Sequence, residues 1–173
     1  PVLIDNIFYD FDKATLRPES TKALDELLTL LNENGNVTIE LSAHCDYKGS
    51  AEYNKRLSQR RAEAVVDYLT ATGIARDRLT PVGYGKEKPK TIRRKLTERL
   101  TWLKEGDVLT EEFISHLDKD KQEIANQLNR RTEFIVLRTT YGLFDEHGKL
   151  KKRPKPATTD KHEGDDGLNI IIE

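Results

Sequence analysis

With 173 residues, 36% of them hydrophobic and 34% charged, the chain is long enough to bury a core and polar enough to be strongly hydrated. A formal net charge of -1 excludes a global attraction to nucleic acid or to an anionic membrane, and no apolar run approaches the length of a membrane span. The single cysteine excludes an intrachain disulfide; Pro1 as first residue and the lack of methionine read as an excerpt of a longer precursor, with any signal peptide or lipid-attachment cysteine upstream.

In chain order, residues 2–11 read as a first strand. Leu24, Leu27, Leu28 and Leu31 then fall at helical spacing, with Pro18 suited to the first turn and Gly35 expected to stop the helix. Val37, Ile39 and Leu41 alternate with Thr38, Glu40 and Ser42, the pattern of a half-buried strand that ends in a loop carrying Asp46. A helix is expected over residues 51–72, with Ala62, Val65, Val66 and Leu69 as its buried stripe. Gly73 followed by Ile74 ends it, since glycine accepts the left-handed conformation and the apolar residue packs back. Asn54, Arg61 and Tyr68 lie on one flank of that stripe, so Arg61 buries its stem at the core's edge and leans toward the loop. Arg56 and Arg60 point elsewhere, into solvent.

Residues 79–84 read as a short third strand. Gly83-Tyr84-Gly85 lacks the spacing and the helix-borne Lys-Ser/Thr of a phosphate loop, so it reads as a turn. In the segment 90–128, Ile92, Leu96, Leu100 and Leu103 form one helical stripe that Gly106 breaks, and Phe113, Ile114, Leu117, Ile124 and Leu128 suggest one or two further helices. Trp102 is expected to pack there; an exposed tryptophan would instead mark a partner surface. A last strand spans residues 132–140, where the run Phe134, Ile135, Val136, Leu137 suits a central position. Residues 141–173 read as a flexible tail: Lys149 opens a basic, proline-interrupted run, an acidic stretch follows, and residues 168–172 could return as an edge strand or dock on a partner.

Asp46 on the loop and Arg61 on the helix are the chemistry-bearing pair. A carboxylate that takes an ammonium and a guanidinium that grips a carboxylate, on two rigid elements, suit a zwitterionic ligand such as an amino acid. Catalysis has weaker support. His44, Cys45 and Asp46 contain the types of a cysteine nucleophile set, but neighbours on a strand face opposite ways and form no relay. His44 and Asp46 share a face, yet two ligands make a poor metal site and His116, His147 and His162 lie in the insertion and tail. A wall hydrolase is the main enzymatic alternative, without paired catalytic carboxylates or a zinc motif to support it. The reading is of a non-enzymatic binder that needs no cofactor.

Three segments carry a resemblance to a known family: Ile7-Phe8-Tyr9-Asp10-Phe11-Asp12 before a helix, the His-x-Asp-x-x-Gly and Asn-x-x-Leu-Ser-x-x-Arg-Ala signature of residues 44–62, and Asn129-Arg130-Arg131 opening the last strand. The chain resembles the OmpA-like C-terminal domain, the periplasmic module that anchors outer-membrane proteins and lipoproteins to peptidoglycan. The family usually has threonine before the aspartate, where this chain has Cys45, with Ala43 also at that strand end. The resemblance implies an α/β sandwich, βαβαβ then inserted helices then β, with a mixed sheet packed on helices. The domain would cover residues 1–140, with residues 90–128 inserted. It implies that Asp46 and Arg61 hold diaminopimelate, the wall-peptide residue with an amino acid group at each end. The pocket is expected where the first strand's end, the signature loop, the second helix and the last strand meet, lined by Asp10, Asp46, Asn54, Arg61 and Arg131; Asp12 and Arg130 compete with Asp10 and Arg131. Backbone N–H groups of residues 51–53 would help hold the anion. Peptidoglycan stem peptide is thus the expected partner, at the periplasmic face of the outer membrane. The central signature is also similar to those of Bacteroidota envelope proteins, including lipoproteins of type IX secretion. The alternative is a protein-interaction module of an envelope complex, acting through the inserted helices and tail.

Overall fold

The structure is a computed structural model that describes the backbone of residues 2–4 and residues 13–151 in full. The expectations for Asp10 and Asp12, for the rest of the first strand and for residues 168–172 lie outside the described residues. The sheet is mixed and four-stranded, in the order β1-β4-β2-β3, with β1 Val2–Ile4, β2 Thr38–His44, β3 Leu79–Gly85 and β4 Arg131–Arg138. β4 runs antiparallel to β1 and β2, whereas β2 and β3 are parallel. The helices α1, Thr21–Glu33, and α2, Ala51–Ala71, share one apolar core with the sheet.

That core follows from the two periodicities. Leu24, Leu27 and Leu31 of α1 and Val65, Val66 and Leu69 of α2 meet Ile39 and Leu41 of β2, Leu79 of β3 and Phe134 of β4. Leu28 lies at its margin. At the end of α2, Gly73 adopts φ 107°, its N–H bonds the Thr70 carbonyl at 3.1 Å and that of Ile74 bonds Leu69 at 3.1 Å, the paired bonds of a glycine-terminated helix. α1 stops differently from the expectation. Gly35 is not among the glycines with positive φ; instead the Asn34 side chain bonds the Leu30 carbonyl at 2.8 Å, and buried Arg78 donates to the carbonyls of Leu31 at 2.9 Å, Asn34 at 2.8 Å and Val37 at 3.0 Å. A side chain brought from residue 78 thus satisfies a helix end that local sequence leaves open.

The glycines of β3 serve close packing. A Cβ at Gly83 would lie 2.1 Å from the Gln59 nitrogen, and the Gly85 N–H donates to Ser58 Oγ at 2.8 Å, so α2 sits directly on this strand. β4 is central, as its apolar run suggests, yet Val136 and Leu137 beyond the β1 pairing are each 48% exposed.

The segment 90–128 has the expected number of helices, but the first is shorter than its stripe. It holds three short helices, α3 Arg94–Arg99, α4 Glu111–Ser115 and α5 Lys119–Asn129, around a core of its own made by Ile92, Leu96, Leu103, Leu109, Ile114 and Ala125. Only Leu96 of the expected four-residue stripe lies inside α3; the others are gathered from flanking turns. Buried Asn129 ties the insertion shut, accepting from the Lys90 N–H at 2.9 Å and donating to the Leu109 carbonyl at 2.9 Å. Trp102 is half-buried against this second core, with Lys121 Nζ 5.8 Å from its ring centre.

The start of the segment read as a tail is held in place. The Tyr141 N–H bonds the Asn36 carbonyl at 2.9 Å, its hydroxyl donates to Asp77 at 2.7 Å, and a turn around Asp145 pairs Phe144 with Leu150. No described helix is long and apolar enough to cross a membrane.

Candidate ligand-binding site

β2 ends at His44, and the next six residues form a loop in which almost every turn is pinned. The Cys45 N–H bonds the Gly85 carbonyl at 2.8 Å, and the Lys48 N–H donates to Asp46 Oδ1 at 2.9 Å, closing an Asx-type turn. Lys86 Nζ donates to the carbonyls of Gly49 at 2.8 Å and Tyr47 at 3.2 Å. Gly49 takes φ 86°, a conformation that favours glycine. Ser50 then caps α2, its Oγ accepting from the Tyr53 N–H at 3.1 Å. That N–H is therefore already bonded within the protein, so the expectation that residues 51–53 jointly hold an anion fails at Tyr53.

For Asn54 the sequence left two roles open, fixing the loop or touching the peptide, and the structure shows the first. Asn54 is 5% exposed and its Nδ2 donates to the Lys48 carbonyl at 2.7 Å, so its visible work is to hold the loop. Arg61 occupies the flank read from the helix period. It is half-buried, and its Nε donates to the Lys13 carbonyl at 3.0 Å, bridging α2 to the chain that follows the first strand. Cys45, whose Sγ lies 3.6 Å from the Asn54 carbonyl oxygen, responds to the charges of both Arg61 and Asp46. Burial pushes its thiol above the usual value, with Arg61 opposing the rise and Asp46 adding to it, so both charges are felt at this sulfur.

Asp46 is mostly buried, and its Oδ2 accepts from Arg130 Nη1 at 2.5 Å. Arg130 Nη2 donates to Glu123 of α5 at 2.8 Å, and Lys48 lies 3.8 Å from the same glutamate. Burial works against the charge on Arg130, but Glu123 and Asp46 outweigh it and hold the guanidinium above its ordinary value. Arg130 and Glu123 are thus site residues that sequence reasoning did not choose. The Asn129-Arg130-Arg131 motif was a signal for the first; nothing local singled out the second.

Arg131, chosen instead, turns to the opposite side of the sheet. Its Nε donates to Glu133 at 2.6 Å, and its other nitrogens to the carbonyls of Asn129 at 3.2 Å and Lys88 at 3.1 Å. Arg131 opens β4 opposite His44 and shares a face with Glu133, two residues on, whereas Arg130 precedes the strand as the C-cap of α5. His44 joins this second group, stacked on Tyr84 with ring centres 5.2 Å apart and 3.8 Å from Glu133. Burial first, then Arg131, lowers its pKa to about 4, so the imidazole is neutral at pH 7. His44 thus turns to Tyr84 and Glu133 while Asp46 turns to Arg130, and the described residues include no group of three or more His, Cys, Asp or Glu side chains that could hold a metal ion.

The arrangement is a hydrogen-bonded loop that holds the Asp46 carboxylate against Arg130, with Arg61 on α2 and Asp46 both acting on the half-buried Cys45 thiol.

Residues 8–100, more than half of the chain, match the OmpA family. The chain belongs to the OmpA family. Among its relatives, the peptidoglycan-associated lipoprotein of Rhizobium meliloti is 38% identical over 88 residues, covering 51% of this chain and 50% of that protein. Outer membrane protein A of Shimwellia blattae is 41% identical over 93 residues, covering 51% of this chain and 38% of that protein. The chain therefore spans about half or less of the length of these relatives. The fold matches that of the peptidoglycan-associated lipoprotein from Burkholderia pseudomallei, with a TM-score of 0.53, 23% identity and coverage of 76% of this chain and 88% of that one. It also matches the cell wall anchor of the type VI secretion system from Pseudomonas aeruginosa, with a TM-score of 0.52, 22% identity and coverage of 79% and 78%. The sheet with its helices is thus an α/β fold of the OmpA-like kind. The family match ends at residue 100, so Glu123 and Arg130 lie beyond it.

Proposed function

We propose that this domain binds peptidoglycan non-covalently through the diaminopimelate residue of the stem peptide, and so anchors an outer-membrane protein or lipoprotein to the cell wall at the periplasmic face of the outer membrane. The domain is residues 1–140, with residues 90–128 as a helical insertion. The observation that carries this reading is the pair of Asp46, on a loop held by Lys86, Asn54 and Ser50, and Arg61 on the helix that follows, both of which act on the Cys45 thiol. Relatives named as a peptidoglycan-associated lipoprotein and a cell wall anchor support the ligand class.

Arg61 clamps the ligand carboxylate and Asp46 accepts the ammonium. Because Arg130 already holds Asp46, the ammonium takes the place of one hydrogen bond, and Arg130 retains Glu123 as its partner. A ligand charge therefore exchanges for a protein charge, and Asp46 is never left buried without a cation. Asp10 remains a candidate for the rim. No bond is made or broken, so no catalytic group is required.

Calorimetric titration with a diaminopimelate-containing stem peptide, beside its lysine counterpart, tests the reading. Saturable binding of the first and much weaker binding of the second is expected, since lysine lacks the carboxylate that Arg61 would pair. Asp46→Ala and Arg61→Ala should each cost about 2–5 kcal/mol of binding while the fold is retained. Equal affinity for both peptides would remove the carboxylate from the recognition, and no binding of either would overturn the wall-anchor reading. The interaction-module alternative gains little, because Trp102 packs on the insertion's own core.

A further inference from the structure

On the face of the sheet turned away from α1 and α2, a cleft of about 310 Å³ lies between the strands and the start of the insertion, lined by Ser42, His44, Tyr84, Ile135 and Glu133 with Lys88, Lys90, Arg93 and Arg131. Four cations thus meet one carboxylate. Arg131 is spent on Glu133 at 2.6 Å. Lys88 is exposed, with its Nζ 4.0 Å from the Tyr84 ring centre, and the Arg93 side chain is exposed without an ion pair or hydrogen bond to another described residue. His44, 6% exposed, contributes a buried Nδ1 that has no hydrogen-bond partner among the described residues.

We propose that this cleft is a second binding site, for a phosphate group, separate from the Asp46 and Arg61 site. After Arg131 and Glu133 have neutralised each other, three further cations, Lys88, Lys90 and Arg93, line the cleft. A single carboxylate answers one of them, whereas a phosphate group carries up to two negative charges and accepts hydrogen bonds from several directions. The positive field of the cleft shows on the groups already in it. Burial alone would raise the Glu133 carboxyl, yet Arg131 above all, with Lys90, brings it below the usual value, while burial first and then Arg131, Lys88 and Lys90 push His44 down. Tyr84 and Ile135 give an apolar wall for the carbon skeleton that bears the phosphate. The lining comes from β2, β3, β4 and the 88–93 segment, so the site exists only once the insertion has returned the chain to the sheet.

The test is a titration of the whole 173-residue chain with inorganic phosphate, followed by amide NMR shifts, on wild type and on the Lys88→Ala, Arg93→Ala double variant. Both side chains are exposed, so the variant should melt like wild type and bind stem peptide like wild type. Saturable shifts centred on Tyr84, Lys90, Thr91 and Arg93, with Kd near about 1 mM, and a loss of at least about tenfold in the variant are expected. Shifts that fail to saturate, that scatter over basic positions such as Lys13 and Arg60, or that persist in the variant would overturn the site. Two further probes separate the sources of phosphate. Flotation with phosphatidylglycerol vesicles that the variant loses would assign a lipid headgroup, and competition by glucose 6-phosphate without flotation would assign a phosphorylated sugar. Response to inorganic phosphate with neither of these would reduce the cleft to a chance ion contact and overturn it. Stem-peptide binding is read separately, so the failure of either site leaves the other standing.

Discussion

On the side of the sheet covered by α1 and α2, Ile39, Leu41 and Phe134 are buried against leucines and valines; on the other side, Ser42, His44 and Glu133 are buried to a similar depth among Arg131, Tyr84 and Lys90. One face reaches its burial by removing apolar area from water, the other by pairing charge. The lesson is that an alternating strand does not name its solvent face, because polar residues placed opposite one another can exclude water as completely as leucines do. The two faces should then respond differently to truncation, since an apolar cavity relaxes while an orphaned buried charge does not.

The largest effect is expected from Arg131→Ala, which leaves Glu133 buried without its guanidinium and should cost about 3–5 kcal/mol of stability in denaturant unfolding. Replacing both partners by apolar residues of similar size, Arg131→Met with Glu133→Leu, should restore most of that loss. A double variant as unstable as the single one would show that the pair itself, and not the stranded charge, holds this face.

Acid should separate the faces next. His44 has a folded pKa of about 4 against 6.5 for the free side chain, so between those values the unfolded chain binds a proton that the folded chain refuses. Stability is therefore level above about pH 6.5 and falls as pH drops toward 4, by on the order of 3 kcal/mol in total from this group. Glu133, with its pKa lowered, adds a further loss as pH falls below the ordinary carboxylate value. His44→Gln should flatten the slope between pH 6.5 and 4; an unchanged slope would place the titrating group elsewhere. A smaller effect, about 1 kcal/mol, is expected from Ser50→Ala, which removes the cap of α2 beside the ligand loop without touching either face. Its wall-peptide affinity should fall only as far as the loop loosens.

The parts of the fold legible in the sequence are those set by neighbours along the chain. The stripe of Ala62, Val65, Val66 and Leu69, the Gly73-Ile74 stop and the β2 alternation each depend on a period or a glycine, and each stands where it was expected. The order of strands and inserted helices agrees with the family resemblance. Arg61 on the flank of α2 was legible for the same reason, since 100° per residue fixes a flank without reference to any other element.

The remainder turns on how distant pieces meet. Whether Arg130 or Arg131 faces Asp46 depends on where α5 ends and β4 begins: Arg130 caps the helix, and the β4–β2 register fixes Arg131 opposite His44. Ile92, Leu100 and Leu103 imitate a helix in spacing, yet a local core collects them from turns on either side of a six-residue helix. Asn54 carries the chemistry of a ligand contact, but the carbonyl of Lys48 lies nearer. By itself, then, the sequence determined α2, the strand pattern and the family, and singled out Asp46 and Arg61 as charges suited to a zwitterionic ligand, because these are properties of short stretches of chain. Tertiary structure alone decided which arginine guards Asp46, that Glu123 steadies it and that a cationic cleft opens on the far face. Those outcomes rest on where α5 ends and β4 begins and on side chains brought together from residues 44 to 133, where the free energy of burying a charge depends on a partner the local sequence does not contain.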